Sequence, residues 1–142
     1  MFNPSRPDAR SFYFETWRKY QHKLPLAGAE LSAAAIILDH PEYHEILNHA
    51  ERHETQDYLP ESGGANPFLH LSMHLAIQEQ LSIDQPSGIV RYYQHLLAKY
   101  QTASAAQHEM MDCLGEMIWQ AQRRHNEFDP AIYFACLDKK LE

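Results

Sequence analysis

The chain of 142 residues is long enough for one domain with a real core and short for two, and its 44% apolar and 22% charged residues exclude disorder. Twelve Lys and Arg against nineteen Asp and Glu leave a net charge of −7. That balance repels phosphate, so no nucleic acid and no anionic membrane is expected as a partner. Ten histidines and only five glycines are the unusual counts.

Cys113 and Cys136 are too few for a disulfide framework, and neither lies in a CxxC. Cys113 reads as a small packing residue beside Met110 and Met117. The opening residues Met1 to Arg6 lead into no apolar segment of the kind a secretory signal needs. The longest purely apolar run, Ala33 to Leu38, falls far short of the ~20 residues that cross a bilayer. A cytoplasmic protein is expected.

Breakers gather at Leu59 to Pro67 and at Asp84 to Gly88, without a change of composition across either. No strand pattern, repeat or low-complexity tract is present. Residues 1–142 are therefore expected to form a single all-α domain, a bundle of about six helices with a short last one. The first, over 7–22, gathers Phe12, Tyr13, Trp17 and Tyr20 on one face and leaves His22 on the other. The second, over 27–39, is apolar nearly all round, which predicts a place in the middle of the packing. Glu30 shares a stripe there with Ala34 and Ile37, and is either a carboxylate favoured by the helix N-terminus or a metal ligand.

The third helix is predicted over 40–54, with Pro41 in its first turn and Tyr43, Ile46, Leu47 and Ala50 facing inward. His40 and His44 flank that face on one side, His49 and His53 on the other, so both pairs cannot address one centre. The fourth, over 67–83 with Asn66 as N-cap, places His70 and His74 on a stripe with Ile77 and Leu81, amid apolar residues. The fifth, over 87–101, is amphipathic, with His95 on its wet side. The sixth, over 104–125, packs through Met110, Met111, Leu114, Met117, Ile118 and Ala121. Its second stripe of His108, Asp112, Glu116 and Trp119 is either a solvated face or a source of ligands. A last helix over 130–140 closes as a lid through Ile132, Tyr133, Phe134 and Leu137.

Two histidines at i, i+4 sit one above the other on a helix and present ring nitrogens to one point. That spacing arises by chance in a His-rich chain, so it carries weight where both imidazoles are also embedded in apolar sequence. His70 and His74 come first by that criterion, His40 and His44 next as a second arm, then His108. Glu30, Asp112 and Glu116 are the candidate carboxylate ligands. Such a set suits a transition metal, iron, manganese or zinc, held between helices. A noncovalent haem between histidine pairs is an alternative cofactor. No GxSxG, Walker A, GxGxxG, HExxH or CxxCH is present, so the common hydrolase, P-loop, dinucleotide, metalloprotease and covalent-haem readings lack support.

Three groups of segments carry a resemblance. They are His40-Pro41-Glu42-Tyr43-His44, the run Asn66 to Ile77 with its continuation Glu79 to Pro86, and Cys113-Leu114-Gly115-Glu116 followed by Trp119 to Arg123. On these, and over nearly the whole chain from Phe2 to about Leu137, the sequence resembles an uncharacterised bacterial family, domain of unknown function family 1841. The resemblance implies a small cytoplasmic protein and supplies no activity or site. The resemblance implies that members of the family often carry a further His four residues before the position matching His108, where this chain has Ser104.

Two functions follow as expectations. In the first, the bundle is a metalloprotein with His40, His44, His70, His74 and His108 as ligands, completed by Glu30, Asp112 or Glu116. In the second, the histidines are structural and the protein is a non-catalytic interaction module. Its eight Tyr and two Trp would then serve a protein partner or a homo-oligomer.

Overall fold

A computed structural model describes residues 6–50 and 66–142. Among them the chain is all-α, with no strand. In order it forms α1 (Arg6–Gln21), α2 (Ala29–Leu38), a 3-10 turn (Pro41–Tyr43), α3 (His44–Leu47), α4 (Pro67–Ile83), α5 (Ile89–Tyr100), α6 (Ala103–Arg124) and α7 (Pro130–Lys140). None of these helices is long and apolar enough to cross a membrane. His53 and the breaker run from Leu59 to Ala65 lie outside the described residues.

Helix starts follow the capping residues. Asn66 Oδ1 accepts from the N–H groups of Phe68 at 3.0 Å and Leu69 at 3.2 Å and opens α4. Thr102 Oγ1 accepts from Ala105 N at 3.0 Å to open α6, and Asp129 Oδ1 from Ala131 N at 3.0 Å, ahead of Pro130, to open α7.

The chain divides into two compact units, Met1–Ala76 and Ile77–Glu142, the division falling within α4. In the first, Tyr13 and Trp17 of α1, Ala33, Ile36 and Ile37 of α2, Leu47 of α3, and Phe68 and Leu71 of α4 form one buried cluster. Its polar atoms are matched to partners. Tyr13 Oη shares a 2.8 Å hydrogen bond with Ser72 Oγ, and Trp17 Nε1 donates to Asn48 Oδ1 at 2.9 Å. Helix α2 is buried on one side only. Ala33 and Ile37 are fully enclosed, while Leu31 (59% exposed) and Leu38 (42%) face outward, where the sequence predicts burial all round.

The third helix departs furthest from expectation. A residue before proline is sterically disfavoured in the α region, and His40, preceding Pro41, has φ −126° and ψ 67°. It stands outside any helix. Pro41–Tyr43 make a 3-10 turn, and α3 ends at Leu47 with Asn48 as C-cap. His40 and His44 are therefore not stacked along one helix.

The second unit comprises the end of α4 with α5, α6 and α7, α6 packing on both α5 and α7. Ile89 and Leu96, Met110 and Leu114, and Tyr133 and Leu137 are fully buried. The turn from α4 to α5 is tied by Asp84, whose carboxylate accepts from Val90 N at 3.0 Å and Gly88 N at 3.2 Å. Those N–H groups hold its carboxyl below the usual range. Gly88 sits at φ +97°, a conformation that favours glycine. Cys113 and Cys136 are joined in a disulfide, so Cys113 is more than the packing residue the sequence suggests.

Candidate metal centre

Three of the predicted histidines meet in the first unit. His40, which follows α2, is buried, as is His74 on α4, and His70, one turn earlier on α4, is half-buried. One ligand-capable atom from each lies within 4.8 Å of those of the other two. The ring centroids form a near-equilateral triangle, 4.9 Å for His40–His70, 4.7 Å for His40–His74 and 4.9 Å for His70–His74. Each pair of rings is inclined by 60–71°. Three mutually tilted imidazoles around one point are the arrangement that a facial set of nitrogen ligands requires.

The tautomer of His40 follows from its surroundings. Its Nδ1 is 2.7 Å from the Ile36 carbonyl oxygen, which can only accept, so Nδ1 carries the proton and, in the neutral ring, Nε2 presents a lone pair. That Nε2 is 3.1 Å from His70 Nε2. Two imidazole nitrogens bound tetrahedrally to one ion at about 2.0–2.1 Å stand roughly 3.3 Å apart, so the observed pair is close to a ligating separation. A backbone carbonyl behind a ligand imidazole is a common second partner, fixing the ring and raising its basicity. Ile36 lies in the last turn of α2, where the partial negative charge of the helix end favours a cation.

Tyr43 packs on this group from the 3-10 turn, parallel to the His40 ring at 5.6 Å and edge-on to His70 at 5.8 Å. Burial, and then the charge of Glu42, push its phenol above the ordinary value. From the sequence, Tyr43 is expected only as a core residue.

Of the other predicted ligands, His44, Glu30, Asp112 and Glu116 are engaged elsewhere. His44 Nε2 lies 2.8 Å from the Ile37 carbonyl and its ring rests 4.4 Å from that of Trp17, so it does not pair with His40 as a second arm. Glu30 accepts from Lys19 Nζ at 2.9 Å and from Ala27 N at 3.2 Å, contacts that hold its carboxyl below the usual range. This matches the helix-start alternative for Glu30. In the second unit, Asp112 pairs with Lys140 at 3.0 Å and Glu116 accepts from Gln120 Nε2 at 2.9 Å. Half-buried His108 has its Nδ1 3.4 Å from Ser104 Oγ, one turn back on α6. His49 pairs with Glu45 at 3.0 Å, and His22 and His95 are exposed.

No curated protein and no solved structure matches the chain. A family's pattern does match, over residues 5–139. Since that match spans almost the whole sequence, the chain belongs to the family described as domain of unknown function DUF1841.

Proposed function

We propose that this protein binds a transition-metal ion through His40, His70 and His74. The observation that carries the reading is the triangle of tilted imidazoles, with the His40 lone pair directed by the Ile36 carbonyl towards His70. An all-imidazole donor set suits zinc or iron better than manganese, which prefers oxygen. Three protein ligands leave a coordination position at which a bound ion acts as a Lewis acid or lowers the pKa of water. His108, in the second unit, is left out of this set. Glu30, Asp112 and Glu116 are left out, their carboxylates having other partners.

The test is elemental mass spectrometry of tag-free protein, beside the double variant His70→Ala/His74→Ala, with circular dichroism confirming that each is folded. The expected result is near-stoichiometric metal in the wild type and its loss in the double variant. His44→Ala is expected to retain the metal, because its Nε2 is already engaged by Ile37. A folded wild type that carries no metal and takes up neither zinc nor iron overturns the reading. The histidines would then be a hydrogen-bonded core group, and the exposed Leu31 and Leu38 of α2 the surface to examine for self-association by sedimentation.

A further inference from the structure

Cys113 on α6 and Cys136 on α7, 23 positions apart, bring their Cα atoms to 5.4 Å, well within the span a disulfide tolerates. The two cysteines differ in exposure, Cys113 being fully enclosed and Cys136 half-buried. Helix α7 has a seat that does not rest on the bond. Tyr133 and Leu137 are fully buried, and the Tyr133 hydroxyl donates to Gln80 Oε1 at 2.8 Å. Tyr92 donates to Asp138 at 2.7 Å, and Lys140 Nζ reaches Glu109 and Asp112, both at 3.0 Å. With these contacts in place, breaking the bond leaves the two thiols facing one another on docked helices.

We propose that Cys113 and Cys136 form a reversible thiol–disulfide exchange site whose reaction partner is a low-molecular-weight thiol and its disulfide, of the glutathione class. In the oxidising direction the Cys136 thiolate attacks one sulfur of the small disulfide, the S–S bond of that molecule breaks, and one small thiolate leaves. The Cys113 thiolate then attacks Cys136 Sγ, the mixed disulfide breaks, and the second small thiolate leaves. Two protein thiols are oxidised to one disulfide, the small disulfide is reduced to two thiols, and the two protein protons pass to the departing thiolates. Reduction runs the same steps backwards, with the small thiolate entering at Cys136 because Cys113 is enclosed.

The order of attack makes the two single variants unequal, which a purely structural staple does not require. Full-length Cys113→Ser and Cys136→Ser are incubated with oxidised glutathione and followed by intact mass. Cys113→Ser should accumulate one glutathione on Cys136, and Cys136→Ser should be labelled on the order of tenfold more slowly or not at all. Reduced wild type should close to the disulfide without retaining an adduct, and should keep its helical circular dichroism before it closes. Equal labelling of the two variants, no labelling of Cys113→Ser, or loss of helicity on reducing the wild type would each overturn the proposal.

Discussion

Reducing the Cys113–Cys136 bond should lower stability by an amount set chiefly by the loop it closes. The bridge encloses about 24 residues, counting both cysteines over a separation of 23. The chain-entropy relation for a loop of that size gives roughly 11.5 cal/mol/K, or about 3.4 kcal/mol at 25 °C. Unfolding entropy near 2.1 cal/mol/K per residue converts this to a midpoint shift. If all 142 residues unfold together, the entropy is about 0.30 kcal/mol/K and the shift about 11 °C. If the second unit unfolds alone, its 66 residues (142 less 76) give about 0.14 kcal/mol/K and a shift of about 25 °C. Differential scanning calorimetry with and without a phosphine reductant measures the shift, and so also tests the expectation of one cooperative domain over 1–142. A single transition lowered by about 11 °C supports that expectation and the loop argument together. A shift below ~3 °C in fully reduced protein would refute the reasoning, because a bridge across such a loop cannot be neutral unless the reduced chain keeps the same constraint when unfolded.

Alkaline pH should weaken the first unit through Tyr13. Burial, only partly offset by the hydrogen bond with Ser72, pushes its phenol up to about 12. A folded value above the unfolded value near 10 means the contribution is complete below pH 10 and is lost as pH rises towards 12. The loss is on the order of 2.7 kcal/mol and is read from urea midpoints; Tyr13→Phe should flatten that limb, and an unchanged pH profile in the variant would count against it. Burial also raises the phenol of Tyr133, so the residual alkaline loss in Tyr13→Phe is assigned to the second unit. Asn66→Ala should cost about 1 kcal/mol by removing the cap from the first turn of α4. Because His70 follows within that turn, the same variant should weaken zinc uptake measured against a competing chelator, and undiminished uptake would show that the turn holds without its cap.

The helical fold was open to reading because Pro, Gly and Asn mark its boundaries and apolar spacing marks its faces. Asn66-Pro67 fixed the start of α4, and with it the i, i+4 relation of His70 and His74, two members of the triangle. The third, His40, departs from the helical geometry its spacing predicts. Spacing alone makes His40 the first residue of a helix and pairs it with His44, whereas Pro41 disfavours that conformation and the ring turns back on the Ile36 carbonyl. The X-Pro restriction was present in the sequence and outweighed the periodicity. The disulfide had a weaker signal. Cys113 shares the buried face of Met110 and Leu114, and Cys136 neighbours Leu137 and follows Tyr133 by three, but their register depends on how α6 and α7 pack. For Glu30 and Asp112, lysines at distant sequence positions decided the outcome, a choice no local pattern records.

The contact between His40 and His70 yields a prediction specific to metal binding. His40 donates from Nδ1 to the Ile36 carbonyl, so its neutral ring can only accept at Nε2. With His40 neutral, the 3.1 Å contact requires His70 to carry a proton on Nε2 in the metal-free protein. Ligation through His70 Nε2 needs that nitrogen's lone pair, and the proton must move to Nδ1 or leave. Long-range nitrogen–proton NMR distinguishes the two tautomers directly. Zinc titration should convert His70 from Nε2–H to Nδ1–H and leave His40 as Nδ1–H throughout, since the Ile36 carbonyl is fixed in the last turn of α2. If His70 keeps its Nε2 proton at saturating zinc, that nitrogen is not a ligand and the His40–His70 pair is a hydrogen bond alone. If His40 changes tautomer as well, the carbonyl does not pin the ring, and the geometric basis for a preorganised site falls with it.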